Sequence, residues 1–269
     1  MKTYPRALTI AGSDSGGGAG IQADLKTFSA LKCFGMSAIT ALTAQNTVEV
    51  SGIYPVAPEF IRQQIDAVVT DIGVDAVKIG MLHSPEVIET VADRLKKYSC
   101  NSVVLDPVMI SKSGDKLLKD DAINTLKKSL IPLATIITPN LPEASVLLGR
   151  PVETMEQMPR ACRELSLLGC DNVLLKGGHL TKNKSVDFLY LAGDQKLLEF
   201  DQQRIATTNS HGTGCTISSA IAAYLARGND IKNAVEKAKK YITGALKAGA
   251  KYRTGSGHGP VHHFYMFWD

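Results

Sequence analysis

The residues best suited to chemistry lie in the stretch HGTGCTISSAIAAYLARG, which begins at His211. Gly212 and Gly214 permit tight backbone geometry, and Cys215 stands where an amphipathic helix is predicted to begin. The first amides of a helix have no partner within it and lie at the positive end of its dipole, so residues 212–215 are predicted to form an anion hole. The same field favours the thiolate of Cys215 and lowers its expected pKa from a reference of about 8.5. His211 is either a partner for this thiol or a solvent-facing loop residue.

A second glycine-rich stretch, GSDSGGGAGIQADLK, runs from Gly12 to Lys26. Its residues 18–23 match the G-x-G-x-x-A pattern of dinucleotide-binding proteins, but that fold needs an acidic residue about twenty positions on. The second predicted strand ends instead at Gln45, which disfavours a nicotinamide-dependent oxidoreductase. The consecutive glycines are predicted to let the backbone approach a ligand closely. Asp24 is expected either to direct its carboxylate to the same place or to complement the helix dipole.

These turns must be positioned by regular elements, and the sequence alternates short apolar β-rich segments with amphipathic ones. The pattern predicts repeated β-α-β units and a mostly parallel sheet covered on both faces, in one α/β domain over residues 1–269. The predicted strands are 6–12, 36–44, 75–80, 102–108, 134–140 and 172–178. The predicted helices include 20–32, 58–72, 84–97, 213–227 and 231–249. Two strands on either side of Gly193-Asp194 are predicted to form an antiparallel pair.

Polar or glycine residues follow several of these strands. In open α/β sheets, ligands bind outside the carboxyl ends of the parallel strands. We therefore expect these residues to meet at one edge of the sheet: Gly12-Ser13-Asp14, Gln45-Asn46, Gly80-Met81, Asp106, Asn140 and Lys176. Any one of them alone could be a turn or a cap, whereas their common edge favours a binding site.

Composition argues against several classes of protein. The net charge is +4, but the basic residues are dispersed and aromatic residues make up only 6% of the chain, which argues against a nucleic-acid surface. The five cysteines are widely spaced and include no C-x-x-C pair, so neither a disulfide framework nor a zinc site is expected. The N-terminus lacks a signal-peptide core and no uncharged run reaches the length of a membrane span, so we expect a cytoplasmic protein without a membrane partner.

The turn around Cys215 resembles that of the ribokinase-like small-molecule kinases, whose anion-hole turn has the form G-x-G-D with aspartate as catalytic base. Within that superfamily the sequence resembles the hydroxymethylpyrimidine and phosphomethylpyrimidine kinases of thiamine biosynthesis. The resemblance runs in order over nearly the whole chain, in AGSDSGGGAGIQADLKTF, ALTAQNT, VKIGML, DPVMISKSGD, ITPNLPEA, LLKGGH, HGTGCTISSAIAAYLA and GSGHGPVHHF. It implies a three-layer α/β/α ribokinase-like fold with a small lid, ATP and Mg²⁺ as cofactors, and a homodimer. It also implies phosphorylation of 4-amino-5-hydroxymethyl-2-methylpyrimidine to its monophosphate and then its diphosphate.

The resemblance implies roles for individual residues as well. The pyrimidine would lie against Gly12, Asp24, Gln45 and Met81, with Asp24 and Gln45 pairing its ring nitrogens and amino group. The nucleotide would lie against Asn140, Lys176 and Gly214, and Mg²⁺ against Asn140, Glu143 and Asp106. In catalysis, Cys215 would accept the hydroxymethyl proton, while Gly212, Thr213, Gly214 and Lys112 of the lid segment would stabilise the transferred phosphoryl group.

The nearest alternative is a pyridoxine or pyridoxal kinase, since related enzymes with the same G-x-G-C turn accept vitamin B6. Some of these carry an additional lid cysteine, and the lid segment VMISKSGD has none, which favours the pyrimidine. A non-catalytic pyrimidine sensor is disfavoured because Asn140, Glu143 and Cys215 are all present.

Overall fold

Nine strands form one sheet in the part of the chain that the computed structural model describes, residues 2–109, 118, 120–178 and 184–268. The strands are β1 (Arg6–Asp14), β2 (Phe34–Gln45), β3 (Val50–Pro55), β4 (Ala76–Ile79), β5 (Val103–Leu105), β6 (Ile136–Ile137), β7 (Asn172–Lys176), β8 (Lys184–Leu191) and β9 (Lys196–Gln203). Their order across the sheet is β3-β2-β1-β4-β5-β6-β7-β8-β9. Neighbours from β2 to β7 in this order pair in parallel, and the remaining pairs are antiparallel.

The central strands are short apolar runs buried on both faces, as expected for a parallel sheet. All four residues of β4 and all three of β5 are buried. The six predicted parallel strands are all present, and so is the antiparallel pair of β8 and β9. The edge strand β3 was not predicted: its sequence VSGIYP contains glycine, ends in proline and exposes Ile53 and Tyr54 to solvent.

The α-helices of the described residues cover both faces of the sheet. They are α1 (Gly20–Ala30), α2 (Pro58–Asp71), α3 (Pro85–Lys97), α4 (Asp120–Thr125), α5 (Leu141–Leu148), α6 (Met158–Ser166), α7 (Thr213–Ala226) and α8 (Ile231–Gly249). One face is covered by α1, α7 and α8, with Phe28 and Ile221 in its core. The other is covered by α2 to α6, with Ile61 and Val91 in its core. The predicted three-layer α/β/α arrangement is confirmed.

The carboxyl ends of the parallel strands lie together at one edge of the sheet, because these strands run in one direction. This edge is where the site is expected. Residues 110–115 of the lid segment, which include Lys112, lie outside the described residues. No helix of the described ranges is long and apolar enough to cross a membrane.

Candidate active site

A cavity of about 730 Å³ lies along the carboxyl ends of the parallel strands and extends to α7 and α8. Most of the predicted site residues line it: Gly12, Gln45, Met81, Asp106, Asn140, Glu143, Lys176, Gly212, Thr213, Gly214 and Cys215. Asp24 does not line it, and Lys112 lies outside the described residues. The fold therefore gathers into one cavity residues as far apart in the sequence as Gly12 and Cys215.

The two glycine turns meet at this cavity. Gly212 precedes α7 with φ of +78°, and a β-carbon on it would lie 1.8 Å from the carbonyl oxygen of Gly18. Both the left-handed backbone and the close approach require glycine here. His211 Nε2 lies 2.9 Å from Asp14 Oδ2 and joins the same two turns through side chains. His211 is largely buried, so the solvent-facing alternative for it is wrong.

Cys215 is the third residue of α7 and lines the cavity, half-buried beside the backbone amide of Gly20. Burial raises the pKa of its thiol to about 11; Lys78 opposes this rise, and Asp24 adds to it. The prediction of a lowered pKa is wrong, because the loss of hydration outweighs the favourable fields of the helix N-terminus and Lys78. At neutral pH the cavity therefore holds a neutral thiol.

Asp24 lies in the core and not in the cavity, which corrects its predicted role in substrate binding. Its side chain is fully buried, and its carboxylate accepts hydrogen bonds from Lys78 Nζ at 2.9 and 3.0 Å. The hydroxyls of Thr9 and Ser219 donate to it at 2.6 Å each. As the fifth residue of α1, Asp24 is turned by the helix toward β4 and α7 and away from the sheet edge. The only sequence signal for its partner Lys78 was a charged residue inside the apolar run DAVKIG.

The first glycine turn is folded around the carboxylate of Asp14. Its Oδ1 accepts from the amide of Gly16 at 2.8 Å, and its Oδ2 accepts from the amides of Gly18 at 3.1 Å and Ala19 at 2.8 Å. Burial opposes ionisation of Asp14, but hydrogen bonds from His211, Ala19 and Gly16 outweigh it and lower its pKa. Because these amides already donate to the Asp14 carboxylate, they are not available to bind an anionic ligand. We therefore expect anion binding at the second turn.

Lys176 and Asp106 form a buried ion pair beside the start of α7. Lys176 Nζ lies 2.9 Å from Asp106 Oδ1, and a β-carbon on Gly214 would lie 3.4 Å from that nitrogen. Burial opposes ionisation of Asp106, but Lys176 and Lys78 outweigh it and lower its pKa. Thr138 donates a further hydrogen bond to Asp106 at 3.1 Å. A cation and an ionised carboxylate therefore flank the predicted anion hole.

Asn140 and Glu143 form a capping box at the start of α5. Asn140 Oδ1 accepts from the Glu143 amide at 2.9 Å, and Glu143 Oε2 accepts from the Asn140 amide at 2.7 Å. Burial raises the pKa of Glu143 to about 7; Lys176 opposes this rise, and Asp106 adds to it. The described residues hold no cluster of three or more His, Cys, Asp or Glu able to enclose a metal. The carboxylates of Asp106 and Glu143, which repel each other, nevertheless fit Mg²⁺. This ion takes one or two carboxylates together with water and phosphate oxygens.

The wall of the cavity nearest the first turn combines an apolar surface with a carboxamide. Met81 lies over Gly12, where a β-carbon would come within 2.8 Å of Met81 Cε. The Gln45 amide lies between Thr43 Oγ1 at 3.0 Å and His211 Nε2 at 3.4 Å. An amide in this position can pair with adjacent donor and acceptor groups on an aromatic ring.

The sequence matches the phosphomethylpyrimidine kinase family over residues 14–262. The chain belongs to this family. The hydroxymethylpyrimidine/phosphomethylpyrimidine kinase of Escherichia coli (strain K12) is 48% identical over 264 residues, which cover 97% of this chain and 98% of the relative. The prediction of a small-molecule kinase is confirmed.

Solved structures of two related kinases share the fold of this family member. The phosphomethylpyrimidine kinase from Clostridium difficile 630 has a TM-score of 0.80 and 50% identity, over 90% of this chain and 99% of that one. The pyridoxal kinase from Staphylococcus aureus, solved in complex with AMP-PCP and pyridoxal, has a TM-score of 0.90 and 34% identity. That match covers 99% of this chain and 96% of the other. The predicted ribokinase-like fold is confirmed.

Proposed function

We propose that this kinase transfers the γ-phosphoryl group of ATP to the hydroxymethyl oxygen of 4-amino-5-hydroxymethyl-2-methylpyrimidine, and a second phosphoryl group to the resulting monophosphate, in thiamine biosynthesis. The observation that carries the proposal is the meeting of the two glycine turns, which brings Gln45 and Cys215 into one cavity. A pyrimidine paired with Gln45 can then present its alcohol to the sulfur. The 48% identity to the E. coli kinase supports this choice of substrate.

The amides at the start of α7 form the anion hole of this mechanism. Gly212, Thr213 and Gly214 line the cavity, and the ammonium group of Lys176 lies beside them. Such preorganised donors stabilise the negative charge on the transferred phosphoryl group because they need no rearrangement during the reaction. Lys112 of the lid segment stays a predicted additional cation.

Asp106, Asn140 and Glu143 would hold Mg²⁺ jointly with the phosphates of ATP. Held by these residues, the ion would neutralise charge on the phosphate oxygens. Burial raises the pKa of Glu143, and a nearby divalent cation favours its carboxylate form. The capping box holds this carboxylate in the first turn of α5, where Glu143 lines the cavity.

The minor thiolate form of Cys215, which has released its own proton to solvent, would take the proton of the substrate alcohol. An aliphatic alcohol is a far weaker acid than a thiol, so a thiolate whose pKa is raised by burial is a stronger base toward it than an exposed thiolate. The cation of Lys78 offsets part of the burial and so limits the rise of the pKa. The monophosphate, in contrast, presents an oxygen that is already ionised, so the second transfer has little need of a base.

Phosphorylation of vitamin B6 is the second candidate, and the structural likeness to the S. aureus pyridoxal kinase favours it. The identity to that kinase is 34%, against 48% for the E. coli pyrimidine kinase, so the pyrimidine is the preferred substrate of the proposal. Values of kcat/KM for the pyrimidine and for pyridoxal, measured side by side, decide between them.

Mass spectrometry of the products tests the proposed function directly. Purified protein supplied with ATP, MgCl2 and the pyrimidine should form first the monophosphate and then the diphosphate, with one ADP released at each step. Protein that forms neither product under these conditions would overturn the proposal. The homodimer and the cytoplasmic location stay predictions.

A further inference from the structure

The Gln45 amide lies between two groups whose own hydrogen bonds dictate how it is turned. The Oε1 end lies 3.0 Å from Thr43 Oγ1, and the Nε2 end lies 3.4 Å from His211 Nε2. Amide oxygen and nitrogen are nearly alike in size, so the identity of each end follows from the donors and acceptors around it.

The end that faces His211 must be an acceptor. Asp14 Oδ2 lies 2.9 Å from His211 Nε2, and Asp14 has a lowered pKa, so its ionised carboxylate can only accept a hydrogen bond. His211 Nε2 therefore carries a proton. A Gln45 nitrogen turned toward it would set two donors against each other, whereas the amide oxygen can share that proton.

The end that faces Thr43 must be a donor, on independent grounds. Thr43 Oγ1 lies 2.9 Å from the carbonyl oxygen of Ser13, and since a carbonyl has no proton to give, that hydrogen bond uses the single hydroxyl proton of Thr43. The lone pairs of the hydroxyl remain available for an N–H of Gln45. Both ends therefore require the amide turned by 180° from its placement in the structure, with Oε1 toward His211 and Nε2 toward Thr43.

We infer that the Asp14–His211 pair fixes the amide of Gln45 and thereby sets which way round the pyrimidine binds, an inference that rests on the proposed function. In this substrate the ring nitrogen N3, the amino group on C4 and the hydroxymethyl group on C5 follow one another along one edge. The Gln45 oxygen accepts from the amino group and the Gln45 nitrogen donates to N3. The hydroxymethyl group, next after the amino group, then lies on the His211 side, where the chain continues through Gly212 to Cys215.

The same orientation selects against rings with a carbonyl beside the hydroxymethyl group. Such a carbonyl would place its oxygen against Gln45 Oε1, and two acceptors would meet with no proton between them. The 4-oxo analogue of the pyrimidine exchanges the donor and the acceptor at these two positions, because its ring nitrogen N3 carries a proton and its exocyclic oxygen accepts. His211 is thus a positioning residue that determines specificity through Gln45.

Binding of the 4-amino and 4-oxo pyrimidines, measured by isothermal titration calorimetry without ATP, tests this inference. The wild-type protein should bind the amino ring about 100-fold more tightly than the oxo ring, since two hydrogen bonds are mismatched in the latter. His211→Leu removes the N–H that holds the oxygen end and leaves the Thr43 contact alone to orient the amide, so the preference should fall below about tenfold. His211→Gln is the matched control, because its side-chain amide places an N–H at a similar reach, and it should keep the preference.

Thr43→Val provides a second variant, so that the test does not depend on the folding of His211→Leu. Removal of the acceptor at the other end of the amide should also weaken the preference for the amino ring. A full preference in folded His211→Leu would overturn the inference, and if that variant does not fold, a full preference in Thr43→Val would do so. Wild-type protein that phosphorylates the alcohol without preferring the amino ring would overturn it too, and would leave the proposed function standing. Wild-type protein that binds and phosphorylates neither ring would remove the proposed function and this inference together.

Discussion

Replacement of Asp24 by alanine should destabilise the fold far more than it weakens substrate binding. The substitution leaves the fully buried ammonium group of Lys78 without its carboxylate, and it removes the acceptor of the Thr9 and Ser219 hydroxyls. Breaking a buried ion pair by removing one partner costs about 3–5 kcal/mol. Since each kcal/mol shifts Tm by about 2–4 °C in chains of roughly this size, we expect Tm to fall by about 10 °C.

Thermal unfolding followed by circular dichroism measures this change. Glu89→Ala is the matched control, because it removes an exposed carboxylate from the middle of α3 and should shift Tm by no more than about 2 °C. Adding Lys78→Met to Asp24→Ala removes the unpaired charge and should recover part of the lost stability.

The alternative, in which Asp24 contacts the substrate, predicts the opposite pattern. The KM of Asp24→Ala for the pyrimidine, measured well below its Tm, should stay within about threefold of the wild-type value if the carboxylate lies in the core. A Tm close to that of the wild type together with a KM raised about tenfold or more would refute the placement of Asp24 in the core.

Three further predictions concern the second glycine turn and the metal site. Cys215→Ala should lower kcat/KM by about 100-fold for the alcohol but by less than about tenfold for the monophosphate. Because burial raises the pKa of Cys215 to about 11, the thiolate fraction grows with pH, so the alcohol step of the wild type should accelerate between about pH 7 and 9. Cys215→Ala should lack that rise. If Cys215→Ala lowers kcat/KM equally for the alcohol and for the monophosphate, in separate steady-state assays of the two half-reactions, the base role is excluded. Gly212→Ala should lower kcat more than about 100-fold because its β-carbon would meet the Gly18 carbonyl, whereas Gly149→Ala, at φ of +68° with free space around it, should retain activity. Glu143→Gln should raise the Mg²⁺ concentration for half-maximal activity about tenfold, and an unchanged Mg²⁺ dependence would place the metal elsewhere.

The regular elements were largely predictable because their signals are local. The helices expected at 58–72 and 231–249 end within one residue of α2 and α8. Proline at the first position of α2 and the Asp230 side chain, which caps α8, mark their starts. The helices α5 and α6 were not among the predicted examples, and α5 is only eight residues long. A short helix carries too few residues to show a clear period.

The membership of the site was predictable, whereas the directions and charges of its side chains were not. The rule that parallel strands end at one edge placed Gln45, Asp106 and Lys176 correctly without any knowledge of distance. The direction of Asp24 depends on Lys78 and Ser219, which are 54 and 195 positions away in the chain. Such long-range partners leave no pattern in the local sequence. The position of Asp24 on α1 alone therefore predicted, wrongly, that its carboxylate faces the ligand site.

The electrostatics of the cavity explain why a thiol suits position 215. Two carboxylates already lie within electrostatic reach of Cys215, and each of them is paired with a lysine: Asp24 with Lys78, and Asp106 with Lys176. A third permanent carboxylate among them would add an uncompensated buried charge, which is costly in a desolvated site. A thiol is neutral before the reaction and carries charge only when it gives up its proton. In the proposed mechanism, the minor thiolate form of cysteine would therefore act as a strong base, without the standing cost of another buried anion.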